Sequence, residues 1–206
     1  MKILVIAATP GEMKAIREWI KSADLKEKLD IDYLCSGIWN YETIFSLENY
    51  LAQNTEPVFI RNIWICGYWN SNNEKKSEPI QIASVINIHT EKEMIISPFL
   101  QIAPLKNCFS SENVVLDKPE FKKEIWPMDN EYYFDMESRW IELVASKYKF
   151  PRLILKVPFD FIWEEDSINK GEFKENMSKI FELLNNLPYH DYLLKILKWV
   201  NQQEVT

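Results

Sequence analysis

The strongest constraint on this chain lies at its start. Residues 2–8 (KILVIAA) form a near-continuous apolar run, followed at once by Thr9-Pro10-Gly11-Glu12 and then by Met13, Ile16, Trp19 and Ile20 at helical spacing. A continuous run rich in branched residues, with no alternation of polar positions, reads as a strand buried on both faces, the habit of parallel sheets. Proline suits the first helical position, so a helix is expected from about Pro10 with one apolar stripe on the sheet. Strand then helix is the first half of an α/β unit, and the strand should be central.

The pattern repeats with a strand at 31–36, a helix from about Tyr41 to Gln53 carrying Ile44, Leu47 and Leu51 on one face, and a strong strand from Val58 to Cys66. Between Pro79 and Leu116 no helix is expected. PIQIASVINIH, EMII and ENVVL read instead as antiparallel or mixed strands extending a parallel core. After a polar loop from Asp117 to Asn130, a helix beginning near Asp135 places Ile141, Val144, Ala145 and Tyr148 on one face, and RLILKV forms another buried strand. Two helices, roughly 170–186 and 189–203, close the chain on either side of Leu187-Pro188. Asn70 to Pro79 reads as an exposed turn.

With 206 residues and 47% hydrophobic content the chain can bury one substantial core, and a single domain over 1–206 is expected. A formal net charge of -7 with only Arg17, Arg61, Arg139 and Arg152 offers no basic stripe for a phosphate backbone, which argues against nucleic acid as a partner. Cys35, Cys66 and Cys108 are odd in number and show no C-x-x-C pairing, so neither a disulfide framework nor a zinc site is expected and a reducing, cytoplasmic setting fits. The opening apolar run is too short for a secretion signal, and no stretch is long enough to span a bilayer, so no membrane partner is expected. His89 and His190 are isolated, and no metal or cofactor is expected.

Three carboxylates sit just past apolar runs: Glu12, Glu137 in YYFDMES, and Asp160 after RLILKVPF. Each has an ordinary structural explanation. Thr9-x-x-Glu12 is a capping box; Glu137 in the first turn of its helix complements the macrodipole; an aspartate after a strand is often a cap or a solvated loop residue. Yet a carboxylate on the loop leaving a central strand lies where open α/β sheets bind ligands.

The order, spacing and flanks of these stretches resemble the nucleoside phosphorylase family, in particular its hydrolytic branch of methylthioadenosine/S-adenosylhomocysteine nucleosidases and futalosine hydrolases. The most specific match is Asp135-Met136-Glu137-Ser138, which resembles the family's acidic-Met-Glu segment; the interval from Glu137 to Asp160 also matches. Gly37 and Gly67 fall after the second and third strands, where the family has glycine. The resemblance implies a single-domain, three-layer α/β fold with a central mixed, largely parallel sheet flanked by helices.

It also implies roles. Glu12 would orient and deprotonate the attacking water, and Asp160 would protonate the departing purine. Glu137 and Met136 would hold the ribose, with Gly67 and Val115 lining the substrate site. The substrate would be a purine nucleoside of the methylthioadenosine, adenosylhomocysteine or futalosine kind, and the assembly a homo-oligomer, a dimer being favoured. Hydrolysis fits better than phosphorolysis, because Tyr68 stands at the place of the phosphorylases' phosphate-binding serine and Ile65 where an arginine would be. Val115 and Leu116 replace the base-stacking pair, Lys156 replaces an arginine near Asp160, and the GYWN segment brings bulk where the family has small residues. The alternative is a catalytically altered paralogue that keeps the fold as a ligand-binding or assembly module.

Overall fold

The computed structural model describes residues 2–22, 30–37, 40–54, 56, 58–70, 78–90, 92–96, 101–112, 131–161 and 198. Along the chain run β1 (Lys2–Ala7), α1 (Pro10–Ser22), β2 (Ile31–Cys35), α2 (Asn40–Gln53), β3 (Val58–Asn70), β4 (Ile80–Asn87), β5 (Glu93–Ile95), β6 (Leu105–Ser110), β7 (Glu131–Asp135), α3 (Ser138–Tyr148) and β8 (Arg152–Phe161). The fold is α/β with a mixed sheet. Parallel ladders join β1 to β2 and to β3, β3 to β8, and β6 to β4 and to β7; antiparallel ladders join β3 to β7 and β4 to β5 and to β8.

β3, thirteen residues long, organises the sheet. β8 covers one of its edges from Ile60 to Tyr68. β1 pairs with Val58 to Asn62 and β7 with Gly67 to Asn70; both ranges overlap that of β8, so both strands must lie on the other edge. β1 runs parallel to β3 and β7 antiparallel to it, so the two strands point their C-terminal ends at each other across the stretch between Asn62 and Gly67. On the far side, β8 pairs with β4, β4 with β6 and β6 with β7, closing β3, β8, β4, β6 and β7 into a ring. Closure satisfies the edges that an open sheet leaves unpaired.

The core follows from the apolar runs. Leu4, Ile6, Val58, Ile60 and Ile154 from the strands pack with Leu47 and Leu51 of α2 and with Ile141, Val144 and Ala145 of α3. Each Leu or Ile removed from water this way contributes about 2 kcal/mol. On α1, Met13, Ile16 and Ile20 are buried at the expected spacing. Cys66 and Cys108 are buried, Cys35 is exposed, and all three are free thiols.

Several boundaries differ from the sequence reading. β3 continues past Cys66 to Asn70, so GYWN is strand and not loop, and Asn70 is buried. The ladder to β7 accounts for this, since it supplies hydrogen-bond partners for residues that looked like a connection. LKNCFS, with no apolar alternation of its own, is strand β6 because β4 and β7 flank it on both sides. α3 begins at Ser138, three residues later than expected, because Glu131 to Asp135 are drawn into β7. β8 extends through Asp160 to Phe161. Within ENVVL, residues 113–116 lie outside the described residues, as do the helices expected at 170–186 and 189–203, residue 198 apart.

Candidate functional site

Glu12 sits where the sequence pattern placed it. Pro10 opens α1, the Glu12 N–H donates to Thr9 Oγ1 at 3.3 Å, and Glu12 Oε2 accepts the N–H groups of Ala8 at 2.7 Å and Thr9 at 2.9 Å. The capping box is therefore real, and it holds Oε2 while leaving Oε1 outside. Burial raises the Glu12 pKa, against the lowering pull of the Thr9 and Ala8 amides and of the Lys156 charge. Thus Glu12, in the first turn of α1, lies within electrostatic reach of a residue on β8.

Glu137 occupies the N-cap position of α3, but the side chain that caps the helix belongs to Asp135. Asp135 Oδ2 accepts the Ser138 N–H at 3.0 Å and also the Ser138 hydroxyl. This leaves Glu137 with no cap hydrogen bond, its side chain 14% exposed and 3.6 Å from the Lys156 ammonium. Lys156 is fully enclosed and lies 2.9 Å from Asp135 Oδ2. Its position follows from register: on β8 it is paired with Trp64, at the level where the C-terminal ends of β1 and β7 approach each other.

The charges respond to one another. Burial pushes the Glu137 carboxyl up to about 7; Lys156 pulls it down, and the negative charges of Asp135 and Glu12 push it further up. Burial by itself would lower the Lys156 pKa, but Asp135 and Glu137 outweigh it and the net shift is upward. Glu12 and Glu137 therefore belong to one electrostatic cluster with Asp135 and Lys156, near the level where the C-terminal ends of β1 and β7 approach each other.

Among the other residues expected in the site, Met136 is half-buried between Asp135 and Glu137, and Gly67 is half-buried on β3, paired with Phe134 on one side and Asp160 on the other. On β8, Pro158 faces Cys66 and Asp160 faces Gly67, so Phe159 is the extra residue of a bulge that immediately precedes Asp160. Bulges of this kind re-aim a strand beside functional sites. The Asp160 side chain and all of Val115 lie outside the described residues.

No family model matches this chain, and no curated protein matches it in sequence. Solved structures do match. A Streptococcus pneumoniae MTA/SAH nucleosidase in complex with 8-aminoadenine aligns with TM-score 0.68 at 12% identity, covering 89% of this chain and 97% of that one. A futalosine hydrolase mutant of Helicobacter pylori aligns with TM-score 0.65 at 11% identity, covering 91% and 98%. An MTAN from Chlamydia trachomatis aligns with TM-score 0.63 at 20% identity, covering 93% and 97%. The chain has the nucleosidase fold.

Within the nucleosidase fold, the bulky segment after Gly67 is resolved differently from the sequence expectation. Tyr68 belongs to the core: it is fully buried, stacks on Tyr133 with ring centroids 5.1 Å apart, and its hydroxyl accepts Asn70 Nδ2 at 2.7 Å. Trp69, on the other face of β3, packs against Tyr132 with centroids 5.3 Å apart. The alternation of β3 thus turns Tyr68 into the main core and Trp69 toward the smaller apolar cluster of Phe109, Tyr132 and Phe134.

Sequence reasoning gave roles to Glu12 and Glu137 but none to Asp135, seen only as part of the acidic-Met-Glu segment, or to Lys156, seen only as the replacement of an arginine near Asp160. A signal existed for both. A lysine inside RLILKVPF must pair if buried, and an aspartate three residues before Ser138 is a ready cap.

Proposed function

We propose that this protein hydrolyses the N-glycosidic bond of a purine nucleoside, of the methylthioadenosine/adenosylhomocysteine or futalosine kind. The observation that carries the reading is that Glu12, in the first turn of α1, and Glu137, at the N-cap of α3, both feel the charge of Lys156 and that Glu137 also feels the charge of Glu12. The nucleosidase fold supports it, as do the ligands of its neighbours: one Chlamydia trachomatis structure is bound to MTA, another to adenine.

Water attacks the ribose C1′ while the C–N bond breaks and its electron pair leaves with the base. Glu12, through Oε1, orients the water and takes its proton; the upward push that burial gives its pKa suits a base working near neutrality. Asp160 gives a proton to purine N7, and Glu137 with Met136 holds the ribose in reacting geometry. Gly67 and Val115 line the base end of the site. Phosphorolysis is disfavoured, because Tyr68, at the place of a phosphate-binding serine, is committed to the core. The rest of the reading is a single domain in three layers with helices on both sides of the sheet, working in the cytoplasm as a homo-oligomer, a dimer being favoured.

One observation favours the second reading, a paralogue kept as a ligand-binding or assembly module: Glu12 Oε2 is already occupied by the capping box. Release of adenine from methylthioadenosine and adenosylhomocysteine, assayed alongside hypoxanthine release from futalosine and inosine, separates the two. Release from any of them, abolished by Asp160→Asn, supports the hydrolase. Silence on all four, with no thermal shift from adenine or hypoxanthine, ends it.

A further inference from the structure

Asp135 Oδ2 accepts the Ser138 N–H and the Ser138 hydroxyl and forms an ion pair with the Lys156 ammonium. Lys156 is thereby drawn to 2.9 Å from Asp135 and left 3.6 Å from Glu137, beyond hydrogen-bond reach. A lone buried lysine beside Glu137 would close that gap, since an ammonium withdrawn from water takes the nearest carboxylate. Ser138, itself fully buried, fixes the same Asp135 oxygen through its N–H and its hydroxyl.

We infer that Asp135 is a positioning residue: it holds Lys156 off Glu137 and so leaves the Glu137 carboxylate free to accept hydrogen bonds from sugar hydroxyls of a bound nucleoside. This rests on the assignment of Glu137 to the ribose in the preceding subsection. Among the described residues, the charged groups acting on Glu137 are Lys156 from β8, Asp135 from β7 and Glu12 from the start of α1. Loss of the Asp135 charge removes one repulsion and releases Lys156 toward Glu137, and both changes favour the ionised form of Glu137.

The test is a carbon-13 NMR titration of side-chain-labelled glutamate in the unliganded full chain, with the Glu137 signal assigned by its loss in Glu137→Gln. In the wild-type protein Glu137 should titrate near the value of about 7 to which its surroundings push it. Asp135→Asn, whose amide oxygen still accepts the Ser138 N–H, should move that titration down by roughly one unit or more. Ser138→Ala keeps the Asp135 charge and should leave it close to wild type, whereas a mere disturbance of the turn would move both variants alike. Lys156→Gln should move it the opposite way, upward. An unmoved or raised value in Asp135→Asn overturns the inference; should that variant not fold, an unmoved or lowered value in Lys156→Gln does the same. The titration uses no ligand, so a protein that releases no base from any nucleoside loses the hydrolase reading and leaves this result standing.

Discussion

The Lys156 ammonium lies 2.9 Å from the Asp135 carboxylate, with both side chains withdrawn from solvent. β7 and β8 do not pair with each other; they flank β3 from opposite edges, so this ion pair reaches across β3 and ties the two strands that deliver Glu137 and Asp160. The pair is part of the site and of the scaffold at once.

Removing the cation should therefore cost stability. Lys156→Met leaves the Asp135 charge enclosed without its partner, a change that typically costs about 3–5 kcal/mol. Urea unfolding measures it, and a loss below about 1 kcal/mol would mean that the pair is solvated, as a surface pair is.

The two roles of Glu12 separate by chemistry. In Glu12→Gln the amide oxygen still accepts the Ala8 and Thr9 N–H groups, so stability should hardly change, whereas Glu12→Ala loses the box and about 1 kcal/mol. Neither variant has a base for the water, and turnover should fall by roughly 10²–10⁴-fold in both. A Glu12→Gln protein that keeps its full rate would reduce Glu12 to a helix cap.

Glu137 sets a pH dependence with a definite sign. Its folded pKa is raised from 4.5 to about 7, so the folded state binds the proton more tightly than the unfolded chain does. The resulting stabilisation is complete below pH 4.5 and is lost as pH rises through about 7. Wild-type stability relative to Glu137→Gln should fall across that window, with the variant the flatter of the two in denaturant titrations run at several pH values. Parallel curves for the two proteins would place Glu137 in ordinary solvent.

Tyr68 answers to packing. Tyr68→Ser removes a fully buried ring from its stack on Tyr133 and leaves Asn70 without that acceptor, which should cost about 3–5 kcal/mol. Adding phosphate should not speed base release in this variant, since the serine would lie in the core. Phosphate-dependent cleavage would put position 68 in the substrate site instead.

The parts of the fold that could be read in advance are those whose signal is local. Ile3–Ala7 is apolar throughout, Met13, Ile16 and Ile20 recur at helical spacing, and Thr9-x-x-Glu12 is a cap complete within four residues. What escaped depends on neighbours. LKNCFS becomes a strand because β4 and β7 enclose it, and Gly67 to Asn70 stay in β3 because β7 pairs with them. Asp135 reads as the start of a helix until β7 claims it, whereupon it caps from one turn earlier.

Sequence alone determined which segments bury themselves and which carboxylates stand at their ends, because apolar periodicity and helix capping are settled within a few residues of chain. Tertiary structure decided that the charges of Glu12 and Glu137 act on each other, that a lysine divides its charge unequally between Asp135 and Glu137, and that Tyr68 faces the core. Those outcomes rest on two strands sharing one edge of β3 with opposed directions, and on charge interactions that grow strong only where water has been excluded.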